Sequence, residues 1–389
     1  MIYVGVNPPS LSFAHVHTKW ATLVFHAAHA SLEITGIPID LVDMAAVVRE
    51  IDAAARTREP LLISTVNSNF IALSARDRGF RNSLIESDLC TVDGVGVLLL
   101  CKLVCGRPIA RVSGADILEV LRARADNGLG RPLRVFFLGG ASGVADLARR
   151  KLNASRSPAI CCVGALDPGF GSMEELSRQE VIDAINDAQP DFLIVALGAA
   201  RGQAWLMRNG SRLRVPIRSH FGAAVNFVAG TIERAPGRWQ ALGMEWVWRI
   251  TREPKLAKRY WDDALALGRL LSFDVVPQAL SSRLSQLVQF VYPGHARVDV
   301  ELKSDTAVVR LAGRLTDRSN DQVFAAFATV AAAGKPVFLD VSEVASASSQ
   351  ITGAILRLRH ELGRRGHPLR VRGARRRLQR SLQDQGAGG

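Results

Sequence analysis

The chain has 389 residues, 48% of them hydrophobic and 22% charged, a balance that excludes a disordered protein and leaves room for two domains. Lys and Arg exceed Asp and Glu by 49 − 36 = 13, with ten Arg against one Glu between Arg357 and Arg380 and seven Lys and Arg between Arg234 and Arg259. Such patches select polyanions: nucleic acid, anionic lipid head groups or pyrophosphates.

Residues 1–32 show weak periodicity and are expected to form a leader without regular structure, or to follow an upstream start codon. From residue 34 the text becomes regular. Apolar positions at 44, 47, 48 and 51 predict a helix over Met44–Ala55. A strand is expected at Leu61–Val66, a helix at Asn69–Asp77, a strand at Leu89–Val92 and, after a Gly-rich turn, a helix at Val97–Val104. Ile117–Ala125 reads as helix, Arg134–Leu138 as strand, Val144–Leu152 as helix and Ile160–Gly164 as strand. One helix over Glu174–Ala188, a strand at Asp191–Leu197 and another at Ile217–Phe221 complete the series. Strands alternating with helices argue for a Rossmann-like α/β sheet covered on both faces.

Residues 231–275 break this pattern. Four of the six tryptophans (239, 246, 248 and 261) lie there among Arg and Lys at helical spacing. Two interpretations stand level: a helical appendage whose rings and cations meet a membrane interface, or ordinary helices with a solvated basic face. A linker over 276–296 leads to a second unit at 297–389. It reads β-β-α-β-α-β: strands at Val298–Val300 and Ala307–Leu311, a helix at Asp321–Ala333, a strand at Val337–Val341, a helix at Gly353–Leu362 and a strand at Leu369–Val371. Its end is Arg-rich.

In open α/β sheets the ligand crevice lies beyond the carboxyl ends of the strands. Thr65, Asn67, Asp93, Gly139, Gly198 and Gly222 all fall there. An Asp between a strand end and a Gly-rich turn, as in Asp93-Gly94-Val95-Gly96, can reach a substrate hydroxyl as general base. On sequence alone the commoner role is an Asx turn or helix cap. Asp116 is expected to cap the helix at Ile117. Arg111 either forks onto a phosphate or is a surface charge. Gly139-Gly140-Ala141-Ser142-Gly143 could cradle a diphosphate at a helix N-terminus, though it lacks GxGxxG spacing.

Other chemistries lack material. The first 270 residues hold no DxD pair for a divalent metal, HExxH and GxSxG are absent, and the five cysteines have no CxxC spacing. No metal and no cofactor is expected. The missing GxGxxG argues against a nicotinamide oxidoreductase, and arginines without interleaved aromatics argue against nucleic acid. No apolar run approaches the ~20 residues of a membrane span.

Taken together, the motifs resemble the WecG/TagA/CpsF family of bacterial glycosyltransferases over residues 33–275. They are G-I-P-I-D at 36–40, T-V-N at 65–67, D-G-V-G at 93–96, R-V-S-G-A-D at 111–116, F-L-G-G at 137–140, G-A-A-R-G-Q at 198–203, and E-R-A-P-G-R-W through R-Y across 233–260. The resemblance implies an inverting transfer of an N-acetylmannosamine-type or related sugar from a UDP-sugar to a polyprenyl-diphosphate-linked acceptor in exopolysaccharide or cell-surface polysaccharide synthesis. It implies a cytoplasmic enzyme peripheral to the inner membrane face.

By that resemblance Asp93 is the base, with Thr65 and Asn67 beside it. Arg111, Gly139, Gly140, Gln203 and Asn226 would bind the donor, and Arg234, Arg249, Arg252 and Arg259 the lipid diphosphate. Two departures concern the donor site: Ala204 where the family carries an acid after Gln, and Asn226 where it commonly carries Asp. Altered donor preference is the favoured consequence. The alternative is a catalytically degenerate scaffold that localises its C-terminal unit.

That unit resembles a STAS domain of the anti-sigma-factor-antagonist type, through R-L-A-G-R-L at 310–315, G-K-P-V-F-L-D-V-S at 334–342 and S-S-Q-I-T-G at 348–353. Ser349 takes the place of the phosphorylatable serine, but Ser348 and Ile351 replace the usual Asp and Gly. The resemblance implies a docking module for a protein partner rather than a phosphoswitch, and exposed apolar helices invite self-association.

Overall fold

The computed structural model describes residues 30–106, 108–169, 171–241, 243–272 and 296–374. The expected leader up to residue 29, nearly all of the linker and the Arg-rich end from 375 lie outside these. The chain opens with an antiparallel hairpin, β1 (Ser31–Ile34) and β2 (Ile37–Asp40), so Ser31 and Leu32 belong to a strand rather than to the leader. Its turn places Thr35 and Gly36 at φ 53° and 82°, and the Glu33 carboxylate accepts the Gly36 N–H at 2.6 Å. Both residues at positive φ suit a two-residue hairpin.

Then follow α1 (Met44–Thr57), β3 (Leu61–Val66), α2 (Ser68–Arg76), α3 (Arg78–Ile85), β4 (Leu89–Val92), α4 (Val95–Cys105) and α5 (Gly114–Ala123). The second half runs β5 (Leu133–Gly139), α6 (Val144–Ala154), β6 (Ile160–Leu166), α7 (Met173–Leu176), α8 (Gln179–Asp187), β7 (Phe192–Ala196), α9 (Ala199–Asn209), β8 (Ile217–His220) and α10 (Gly222–Ala229). The six strands β3–β8 form one parallel sheet in the order β4-β3-β8-β7-β5-β6. The chain winds outward to β4 on one side and to β6 on the other, and the reversal leaves the carboxyl ends of β7 and β8 central. Strands β3, β4, β5 and β7 are buried nearly throughout, without an exposed face, because helices cover both sides of the sheet.

The helix expected over Glu174–Ala188 is two helices. The Leu176 carbonyl accepts the Trp205 indole N–H at 2.8 Å and the Ser177 carbonyl accepts Arg212 at 2.8 Å, so neither is left for a continuing helix. The described residues between 231 and 272 include the expected helices: α11 (Gly237–Ala241), α12 (Glu245–Arg252) and α13 (Leu256–Leu270); residues 273–275 lie outside the described ones.

The second unit follows the expected order: β9 (Arg297–Leu302), β10 (Ala307–Leu315), α14 (Asn320–Ala332), β11 (Val337–Ala347), α15 (Ser349–Arg364) and β12 (Leu369–Arg372). Its sheet runs β12-β11-β10-β9, parallel except for β9 against β10. It has a core of its own around Val309, Leu339, Ile355 and Leu362.

The two units meet through α15. Gly353 lies against the hairpin so closely that a Cβ would sit 2.6 Å from the Ser31 carbonyl oxygen. Gly353→Ala gains up to about 1 kcal/mol of helix propensity but forces a methyl onto backbone, costing roughly 1–3 kcal/mol. The expected net result is a loss of about 1–2 kcal/mol in chemical denaturation. An unchanged or raised stability would mean that helix and hairpin lie farther apart.

Candidate functional site

Two strand ends build the centre of the crevice. At the end of β3, Thr65 is buried, and the following Asn67 caps α2, its Oδ1 accepting the Phe70 N–H at 3.1 Å. The Asn67 side chain therefore has a structural task beside the site. At the end of β4, the Asp93 N–H donates to the Val66 carbonyl at 2.8 Å, which ties the two strand ends together. Gly94 follows at φ 86°, a left-handed conformation that an L side chain adopts at a cost, and an added Cβ would lie 4.0 Å from the Asn67 Cβ. Thr65, Asn67 and Asp93 thus share one corner of the crevice.

Asp93 keeps part of its surface open to solvent. Burial dominates its carboxyl and pushes the pKa up to about 7; Arg111 and Arg234 pull it down, while Glu245 and Asp116 push it up. These four charges form one network. Arg111 pairs with Asp116 at 3.1 Å and with Glu245 at 3.5 Å. Arg234 pairs with Asp116 and Glu119, and its Nε lies 3.8 Å from Glu245. Two guanidinium groups are thereby held next to a carboxyl poised between protonation states.

Asp116 is not the cap of its helix. Ser113 is the cap, accepting the Asp116 N–H at 3.2 Å, and its hydroxyl donates to the Asp116 carboxylate at 2.7 Å. Burial resists ionisation of Asp116, but the hydrogen bonds from Ser113 and Arg234 prevail and hold its pKa below the ordinary value. Glu245 and Glu119 escaped the sequence reading. Glu245 lies within the 233–260 motif block, but its pairing with arginines distant in sequence is not written in any local pattern; Glu119 lies in none of the motifs.

The appendage closes over this corner. Gly243 lies against Val95, where a Cβ would meet its side chain at 3.1 Å. Gly96 leaves room for Ser68 of α2 and Leu267 of α13. The Asp93–Gly96 turn is thus flanked by both ends of the appendage. Of the remaining expected lipid-diphosphate arginines, Arg249 pairs with Glu253 at 3.7 Å. Arg252 pairs with Glu233 at 3.0 Å and stacks 4.7 Å over Trp248, and Arg259 lies 5.2 Å over Tyr260. Trp246, Trp261 and Leu265 are exposed beside them.

The expected donor-binding residues do not gather in one place. Gly139 and Gly140, at φ 91° and 104°, end β5. That strand stands four places from β4 in the sheet, about 19 Å at the usual strand spacing. A Cβ on Gly139 would lie 3.0 Å from the Ala196 carbonyl oxygen, so its missing side chain serves strand packing. Asn226 lies on α10, its Oδ1 accepting from the Thr231 hydroxyl at 3.1 Å.

Gln203 is 1% exposed and donates to the Ser64 hydroxyl at 2.6 Å. Its Oε1 has no partner among the described residues. His220 ends β8. Burial pushes its pKa down to about 4, so the imidazole is neutral at pH 7, and its Nε2 has no partner among the described residues. The described residues contain no cluster of metal-ligating side chains.

With this geometry in place, comparison with known proteins identifies the chain. A model of the glycosyl transferase WecG/TagA/CpsF family matches residues 32–278, and a model described as Mlab, STAS domain, matches residues 298–389. The chain belongs to the WecG/TagA/CpsF glycosyl transferase family and carries a C-terminal STAS domain. It is similar to the N-acetylglucosaminyldiphosphoundecaprenol N-acetyl-beta-D-mannosaminyltransferase of Bacillus subtilis (strain 168), at 27% identity over 198 residues, 51% of this chain and 74% of the relative.

The raised pKa of Asp93 makes a claim about folding. A carboxyl whose folded-state pKa lies above its unfolded value loses stability as the pH climbs through about 7. Asp93→Asn is therefore expected to be more stable than the wild type at pH 9, by about 1 kcal/mol after allowance for solvent screening. The difference should shrink toward zero as the pH falls to 4. Denaturant titrations at several pH values measure it; equal stability throughout would mean that Asp93 ionises freely.

Proposed function

We propose that this family member transfers an N-acetylmannosamine-type or related sugar from a UDP-sugar to a polyprenyl-diphosphate-linked sugar, with inversion and with Asp93 as general base. The observation that carries the proposal is the Asp93 carboxyl itself. It stands at a strand end, with a pKa near neutrality, beside Arg111 and Arg234. A base is most effective when its pKa lies near the working pH. In the proposed step Asp93 takes the proton of the acceptor hydroxyl as that oxygen bonds to the anomeric carbon. The bond from that carbon to the diphosphate breaks, and UDP leaves with the electron pair.

Charge then develops on the departing diphosphate. Arg111 and Arg234 are placed to stabilise it, exchanging their carboxylate partners for phosphate oxygens. Thr65 and Asn67 shape the corner around the base. Gly139, Gly140 and Asn226 remain proposed contacts farther along the crevice, and Gln203 acts there through Ser64 rather than by direct contact. Ala204 and Asn226 bear on the choice of donor.

A lipid-linked acceptor must be met at a membrane. No helix among the described residues is long and apolar enough to cross one. The exposed Trp246 and Trp261 beside Arg249, Arg252 and Arg259 suit a peripheral contact with an anionic surface on the cytoplasmic side. Trp246→Ala/Trp261→Ala is expected to lower cosedimentation with anionic vesicles several-fold; undiminished binding would place the contact elsewhere.

The chemistry is tested by transfer from radiolabelled UDP-sugars to a polyprenyl-diphosphate-linked acceptor. Asp93→Asn is expected to lower kcat by about 10²- to 10⁴-fold. In the wild type, kcat/KM should fall tenfold per pH unit below about 7, the pKa of Asp93. Absence of transfer with every UDP-sugar, together with no thermal shift on adding UDP, would favour the scaffold alternative.

A further inference from the structure

Strand β4 carries Asp93 and is the edge of the sheet, paired on one side only with β3. Its outward N–H groups need acceptors from outside the sheet. Asp40, the last residue of the hairpin, supplies one: its Oδ2 accepts the Cys90 N–H at 2.6 Å, and its Oδ1 accepts the Ser31 hydroxyl at 2.6 Å. A buried carboxylate also needs a counter-charge, and it comes from the other domain. Arg357 of α15 forks onto Asp40 through Nε at 2.8 Å and through Nη2, and its Nη1 reaches the Ser87 carbonyl just before β4. Both side chains are almost completely buried, at 4% and 3% exposure.

A second carboxylate repeats the device one strand inward. Asp88 accepts the Leu62 N–H of β3 at 2.6 Å, and its other oxygen meets His360 at 2.8 Å and Arg364 at 2.5 Å. Arg364 also donates to the Pro60 carbonyl at the start of β3 at 3.1 Å. One face of α15 therefore grips the amino ends of β3 and β4. Their carboxyl ends hold Thr65, Asn67 and Asp93.

We infer that the C-terminal domain is a built-in part of the transferase site, and that Arg357 is a positioning residue which acts through Asp40 to hold the edge strand carrying Asp93. Removing the arginine leaves a buried, uncompensated carboxylate at the strand edge; removing both charges does not. Ser349, at the start of the same helix, is 7% exposed, so the serine is not presented to an external partner in this arrangement.

The role in catalysis rests on the transferase proposal, but the structural coupling can be tested without activity. In the full chain, Arg357→Met is expected to speed amide hydrogen exchange in β4 at least tenfold, with β5 and β7 unchanged. Asp40→Asn/Arg357→Met should recover most of that protection, and Arg357→Lys should fall between. With an active enzyme, Arg357→Met should lower kcat several-fold with little change in KM for the donor, and the double variant should restore kcat.

Exchange that rises equally across the sheet, stays unchanged in β4, or is no better protected in the double variant would overturn the inference. So would full kcat in Arg357→Met. A wild type without transfer activity would count against the proposed function alone, because exchange and its rescue still decide the coupling. If Arg357→Met does not fold, recovery of folding in the double variant supports the inference and failure of both overturns it.

Discussion

A buried carboxylate is tolerable only when its lone pairs are met and its charge is opposed, and Asp40 satisfies both conditions across a domain boundary. Four donors converge on it: the Ser31 hydroxyl, the Cys90 amide and two nitrogens of Arg357. They come from the hairpin, the sheet edge and the C-terminal domain. The pair is not a strong source of net stability, since desolvation offsets much of its attraction. Its consequence is mutual placement: one carboxylate is shared by the hairpin, the sheet edge and the C-terminal domain, so separating any of them leaves a buried group unpaired. The missing side chain of Gly353 reinforces this by letting α15 approach the Ser31 carbonyl.

The opposite end of β4 follows a different rule. At Asp93 burial outweighs the nearby arginines and leaves the carboxyl near its titration midpoint at neutral pH. The amino end of β4 is thus held by a carboxylate that four donors satisfy, while the carboxylate at its carboxyl end is left able to exchange a proton. The difference lies in the donors. Asp40 takes an arginine directly, whereas Arg111 and Arg234, near Asp93, are engaged by Asp116, Glu119 and Glu245.

Sequence made much of the sheet legible because strands covered by helices on both faces are rich in apolar residues rather than alternating. Leu61–Val66 and Leu89–Val92 were read to the residue, and with them the crevice corner at Thr65, Asn67 and Asp93. The hairpin escaped although Leu32, Ile34, Ile37 and Ile39 alternate with Ser31, Glu33, Pro38 and Asp40, because each strand is only four residues long and the pattern is too short to stand out. The break after Leu176 depends on Trp205 and Arg212, and the Arg357–Asp40 pair joins residues 317 apart. Window patterns do not carry such information. Gln203 shows the converse case: a motif position suggested substrate contact, yet its amide is turned onto Ser64 inside the protein.

The carboxylates around Arg111 and Arg234 have a bearing on how a diphosphate would enter. Two neighbouring guanidinium groups without counter-charges repel each other, and ordering them at the moment of binding costs side-chain entropy. Here Asp116 and Glu119 come from α5 and Glu245 from α12, so the arginines are oriented from two directions before any ligand arrives. In the proposed reaction, binding then exchanges one set of charge-assisted hydrogen bonds for another. Because Glu245 belongs to the appendage, its release would loosen α12 over the Asp93 corner at the step where the acceptor has to reach the base.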